Sequence, residues 1–96
     1  MFAVFETVQI KHHAIDDFLP AVLQTAKQTL EGDPDCHQFD VCLNPDRRDE
    51  IYLYELYTNR VAFDAHLDSH TFKIFSAYVD PMIAAKTVRT LTRVYP

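Results

Sequence analysis

The stretch from Ile51 to Tyr57 constrains the fold more than any other, because it is an extended segment with almost nothing to show to water. Tyr52, Tyr54 and Leu56 occupy one face and Ile51, Leu53 and Tyr57 the other, with Glu55 the single interruption. Successive side chains of a strand point to opposite faces, so a strand apolar on both has to be covered twice. Helices of the same chain can cover one face. A partner subunit is the natural cover for the other, and composition points the same way. At 96 residues the chain makes one domain, 1–96, with a modest core of its own. Yet 48% of its residues are hydrophobic and 12% aromatic, enough to suggest a second burial surface in a homodimer.

The rest of the chain alternates between strand and helix periods. Met1 to Lys11 reads as a strand with Phe2, Val4, Val8 and Ile10 on one face, interrupted by Glu6. Ile15, Phe18, Leu19, Val22, Leu23, Ala26 and Leu30 follow helical spacing. Asp16 and Asp17 suit the positive end of that helix. Pro20 predicts a kink unless the helix starts late, and Gly32-Asp33-Pro34 ends it. Cys36 to Asn44 alternates as a strand, with His37, Phe39, Val41 and Leu43 on one side, and Asn44-Pro45-Asp46 opens a polar turn. After the double-faced strand, Thr58 or Asn59 caps a short helix through His66. Ser69 caps another that carries Phe72, Phe75, Tyr78 and Val79 and ends near Pro81. Lys86 to Tyr95 reads as the final strand. The order is β-α-β-β-α-β with the second helix broken in two, an α+β, ferredoxin-like arrangement.

Several classes of function are excluded or disfavoured. There is no nucleotide-binding loop, cysteine-cluster metal site or serine–histidine–aspartate signature. Fourteen acidic against nine basic residues, net −5 with no basic run, argue against nucleic acid or an anionic membrane as partner. No apolar run reaches membrane-spanning length, and no basic-then-apolar leader opens the sequence, so a cytoplasmic location is expected. Cys36 and Cys42 lie on one predicted strand, too constrained to bridge each other, and are expected as free thiols. His66 and His70 are spaced to place two metal ligands on one helical face, but Ser69 breaks the helix between them and no third ligand is evident, so no metal is expected.

Three segments taken in order resemble the antibiotic biosynthesis monooxygenase family. Cys36 to Pro45 is similar to its cysteine-then-F-D-V strand ending in Asn/Asp-Pro. Tyr52 to Tyr57 is similar to its L-Y-E-x-[WY] strand, and Phe63 to Phe75 to its F-x-x-H-x-x-S-x-x-F-x-x-F helix pair. The resemblance covers nearly the whole chain and implies a dimeric α+β barrel, two subunits joined through their sheets, with a pocket in each between sheet and helices. The family's reactions include cofactor-free oxygenation of quinols and anthrones, haem degradation and isomerisation, so fold transfers better than reaction. His66 matches the helix histidine, which is tryptophan in the haem-degrading branch. Glu6 matches a first-strand polar residue, asparagine in that branch, and Ser76 stands where that branch has its axial histidine. With no tryptophan in the chain, haem degradation is not expected, and neither haem nor flavin is required. The chain departs from the family at Ser69-His70-Thr71-Phe72, where Ser-Pro-His-Phe is usual. Moving the histidine by one place turns it about 100° around a helix.

These residues define the expected site. A neutral imidazole at His66 would remove a phenolic proton, and the phenolate would pass an electron to dioxygen, the second substrate. The blander reading of His66 is a structural, hydrogen-bonded histidine. Glu6 would orient a substrate hydroxyl or share a proton with His66; its blander reading is a salt bridge to a neighbouring strand. Tyr54, Phe39 and Phe72, with Tyr52, would line an aromatic slot for a flat ring, although such stripes are more often plain core. Asp40 and Glu55, on adjacent strands, would polarise the substrate or serve interface hydrogen bonds. The expectation is a homodimeric, cofactor-independent monooxygenase of a small aromatic quinol or anthrone. The alternatives are an isomerase or tautomerase of a small hydroxy-carbonyl compound, phosphorylated or not, and a non-catalytic ligand-binding dimer.

Overall fold

Strands and helices follow the changes of hydrophobic period along the chain. The computed structural model describes residues 1–96. Strand β1 is Phe2–Ile10, helix α1 Ile15–Gly32, β2 Cys36–Leu43 and β3 Glu50–Tyr57. Helices α2, Arg60–Leu67, and α3, His70–Val79, follow, and a 3₁₀ turn, Asp80–Met82, leads into β4, Ile83–Thr92. All strand pairs are antiparallel, in the order β2-β3-β1-β4. This is the ferredoxin-like arrangement with its second helix split. No helix is long and apolar enough to cross a membrane.

The split has a local cause. Asn59 caps α2 by accepting from the Ala62 amide at 2.9 Å, and Ser69 caps α3 by accepting from the Phe72 amide at 3.2 Å. Each cap satisfies an amide that has no partner within its helix. Helix α1 continues past Pro20, which lies in its second turn. The missing proline N–H would have met the Asp16 carbonyl. Both residues are exposed, so water can take that carbonyl. Gly32 closes the helix without a left-handed conformation.

A register shift changes which residues of β2 face the helices. A bulge at His37 leaves Cys36 opposite Tyr57 and Gln38 opposite Leu56. Cys36 therefore turns inward beside Phe39 and is buried, while Cys42 is exposed. The two thiols lie on opposite faces of the sheet, a stronger bar to bridging than their spacing. The final strand starts at Ile83, three residues ahead of the expected Lys86, because the 3₁₀ turn delivers the chain directly to β1. It ends at Thr92, opposite Phe2, where β1 itself begins.

The helix-facing side of the sheet carries Val4, Val8, Ile10, Ile51, Leu53 and Tyr57. With Phe18 and Val22 of α1 they form the centre of the core. The other side carries Ala3, Phe5, Tyr52, Tyr54, Leu56 and Leu91, as the pairing of Ala3 with Leu56 and Leu91 and of Phe5 with Tyr54 requires. Ala3 and Leu56 are buried, yet neither belongs to the core cluster.

Candidate active site

Between the helix-facing side of the sheet and helices α2 and α3 lies a pocket of about 270 Å³, most of its lining residues hydrophobic. Phe39 and Leu53 supply its sheet side, and Phe63, Leu67, Phe72 and Phe75 its helix side. Lys86 and Val88 of β4 border it too, and Val88 is 46% exposed. The pocket therefore opens over β4, the edge strand that no helix covers.

Three ionisable side chains meet inside. His66 enters from the last turn of α2 and is 5% exposed. Its ring sits among Phe72, Tyr57, Phe39 and Phe63, with centroids 5.1, 5.4, 6.4 and 6.4 Å away. Ser69 fixes the turn that carries it, since the Ser69 hydroxyl and amide both donate to the His66 carbonyl, at 2.7 and 3.1 Å. Glu55 enters from β3 and is 2% exposed. Glu6 comes from β1. The register pairs Glu6 with Leu53 and Val4 with Glu55, so the two carboxyl groups are diagonal neighbours on one face.

Their environment sets their protonation. Burial pushes the Glu55 carboxyl up to about 8, reinforced by its hydrogen bond to Glu6 and the Glu6 charge. The Tyr57 hydroxyl donates to Glu55 Oε1 at 2.5 Å, which offsets part of the rise. Glu55 is therefore largely protonated at neutral pH. Burial also holds the His66 imidazole below its ordinary 6.5, against the pull of Asp33. His66 Nε2 lies 4.0 Å from Glu55 Oε1. At neutral pH this is not an ion pair, because both shifts favour the neutral forms. Burial first, then the Glu55 charge, raise the Cys36 thiol to about 11. They also push the Tyr57 phenol well above its ordinary range. Neither is therefore a nucleophile in the pocket.

Four expected site residues gather here: His66, Glu6, Phe39 and Phe72 all line the pocket. Glu6 lines the pocket and also approaches Lys86 Nζ on the neighbouring strand at 3.9 Å. Tyr54 and Asp40 do not belong to it. They pair with each other across β3 and β2 and share the sheet face away from the helices, with Phe5 and Tyr52. Asp40 is exposed and accepts from Gln38 Nε2 at 2.6 Å. Strand parity decides this: Tyr54 is one residue from Glu55 and so points the other way. Glu55 is the most buried acidic group of the pocket; the sequence marks it as an interruption and pairs it with Asp40, which lies on the other face. The signal is present in the chain, since Glu6 and Glu55 each break an apolar row, but only the register brings the two breaks together. His70 and Thr71 are exposed and lie outside the pocket. No cluster of three or more His, Cys, Asp or Glu side chains is arranged to hold a metal ion.

The model of the antibiotic biosynthesis monooxygenase family matches residues 1–78. Among solved structures, a Nitrosomonas europaea protein named for that family superposes with a TM-score of 0.93 at 20% identity, covering 99% of this chain and 100% of its own. A Caulobacter crescentus protein named likewise gives 0.92 at 21% identity, over 98% and 90% of the two chains. A Mycobacterium tuberculosis protein gives 0.89 at 21%, over 99% and 96%. At such identities the likeness establishes fold and not reaction. No curated protein is a significant match.

Proposed function

The chain belongs to the antibiotic biosynthesis monooxygenase family, and from that premise we propose that it is a cofactor-independent monooxygenase of a small quinol- or anthrone-like aromatic substrate. The observation that carries this reading is the pairing of a neutral His66 with a protonated Glu55, 4.0 Å apart in a largely apolar pocket. A histidine whose proton affinity is lowered and a carboxyl group whose affinity is raised are suited to act as base and acid at the same pH. The pocket has room for a flat ring system of two to three fused rings, held between Phe39, Phe63 and Phe72.

In this reading His66 Nε2 takes a hydroxyl proton from the bound substrate. The anion so formed gives one electron to dioxygen, and the two radicals join at a ring carbon as a hydroperoxide. Loss of water then leaves a carbonyl. For a ring CH₂ the balance is CH₂ plus O₂ to C=O plus H₂O. One oxygen atom stays on the ring, and the four electrons come from the substrate. Glu55 returns a proton to the departing oxygen. Glu6, held toward Lys86, orients the substrate hydroxyl. No haem, flavin or metal enters the scheme.

The protein acts as a homodimer, its partner covering the sheet face that carries Phe5, Tyr52, Tyr54 and Leu91. Leu91 is 51% exposed and the others half-buried, and no helix of the chain packs there. A second reading is supported by the same acid–base pair. His66 and Glu55 have what a keto–enol tautomerase needs, which is a base, an acid and no oxygen. The deciding experiment is oxygen uptake by the purified protein over a panel of hydroquinones and anthrones, with His66→Ala alongside. Uptake lost in the variant, with its fold retained, supports the oxygenase. Full uptake in the variant removes His66 from the mechanism. Substrate isomerised without oxygen uptake favours the tautomerase.

A further inference from the structure

His66 also borders a second cavity. This outer cleft, of about 350 Å³, runs between the end of α1 and the α2–α3 turn, and Ala65 is its only hydrophobic lining residue. Gln28, Thr29 and Asp33 form one bank, Ser69 and Thr71 the other. Of all the residues that line the inner pocket or the outer cleft, His66 alone lines both. His66 thus stands between an apolar chamber and a polar one.

That position answers a difficulty in the chemistry. A proton accepted by His66 creates an imidazolium in a site where burial opposes positive charge. The way back through the inner pocket is blocked while ligand or product fills it. An imidazole can take a proton on one nitrogen and release one from the other. Nε2 lies on the pocket side, 4.0 Å from Glu55. The ionisable groups facing the ring from the sheet are Glu55 and Tyr57 of β3, Glu6 of β1 and, across the pocket, Lys86 of β4; α3 meets it with Phe72 alone. On the cleft side the ionisable group is Asp33 just beyond α1. Its carboxylate is held in place by accepting the Asp35 amide at 2.9 Å, and its charge favours the imidazolium.

We propose that His66 is a two-sided proton relay: it accepts the substrate proton at Nε2 and releases a proton from Nδ1 into the outer cleft, with Asp33 as the positioning residue that draws it outward. The inference rests on His66 being the base of the proposed reaction, but it is testable without a substrate. In ¹⁵N-labelled protein, at a pH where the ring is protonated, the two ring N–H groups exchange with water at separately measurable rates. Ala65→Trp fills the cleft from an exposed helix position and leaves the inner pocket alone. It slows exchange at Nδ1 by at least about tenfold and leaves Nε2 unchanged. Ala77→Trp, exposed on α3 and lining neither cavity, slows neither. Asp33→Asn moves the His66 titration to lower pH and shifts the acid limb of any pH–rate profile with it. Equal Nδ1 exchange in Ala65→Trp and the unaltered protein overturns the relay. An unmoved titration in Asp33→Asn removes Asp33 from it. If these effects appear but no quinol or anthrone drives oxygen uptake, the relay stands and the oxygenase reading falls. If uptake needs His66 while both variants behave as the unaltered protein, the reverse holds.

Discussion

Replacing Glu55 by glutamine should make the protein more stable above neutral pH. The folded state holds the Glu55 carboxyl near 8 instead of 4.5, so it binds a proton that the unfolded chain has already lost. For a group whose folded value is raised, the linked stability is fully present below the unfolded value and is lost as pH climbs toward the folded one. His66 works in the opposite sense below 6.5, because its folded value is depressed; there the unfolded chain binds the extra proton and stability rises with pH. The two slopes oppose each other below 6.5, and from 6.5 to about 8 Glu55 acts alone. At roughly 1.4 kcal/mol per pH unit, that interval is worth on the order of 2 kcal/mol. This is a sizeable part of the 5–15 kcal/mol that holds a typical domain folded, and in a chain of this size it corresponds to about 10 °C in melting temperature. Glutamine keeps an acceptor for the Tyr57 hydroxyl and removes the ionisation. Urea unfolding at pH 6.5 and pH 8, at one protein concentration, compares the two proteins. The unaltered protein should lose about 2 kcal/mol across the interval, and Glu55→Gln should lose almost none. Equal losses in both would refute the assignment of a proton to Glu55.

Activity should follow a bell-shaped pH profile. It should rise as His66 becomes neutral, below 6.5, and fall near 8 as Glu55 ionises; a flat profile between 6 and 9 would contradict the acid–base pairing. Ser69→Ala removes the cap of α3 and one bond to the His66 carbonyl. It should cost about 1 kcal/mol in thermal unfolding and lower turnover more than substrate affinity; unchanged stability would show that the cap carries no weight. Phe5 stacks on Tyr52 with centroids 6.1 Å apart on the uncovered sheet face, so Phe5→Glu should yield monomers by sedimentation if that face is the dimer contact. A variant sedimenting as the unaltered protein does would place the contact elsewhere.

The sequence by itself determined the elements and the family. Hydrophobic period separates strand from helix locally, cap residues such as Asn59 and Ser69 act within a turn, and a lone histidine on a short helix is visible without coordinates. The doubly apolar strand announced a cover on each face because alternation is a property of the backbone alone, and the helices of the chain supply one of them. What only the tertiary structure decided was which face is which. Parity says that Tyr54 and Glu55 point apart, but not which of them meets the helices. That depends on β1 and β2 flanking the strand and on the helices packing over one side, a matter of long-range pairing. The same pairing turned Cys36 inward through a bulge one residue long. It also set two isolated carboxylates, Glu6 and Glu55, on diagonal positions of one face. Burial and register exist only in the folded sheet, and together they set both in one pocket with His66.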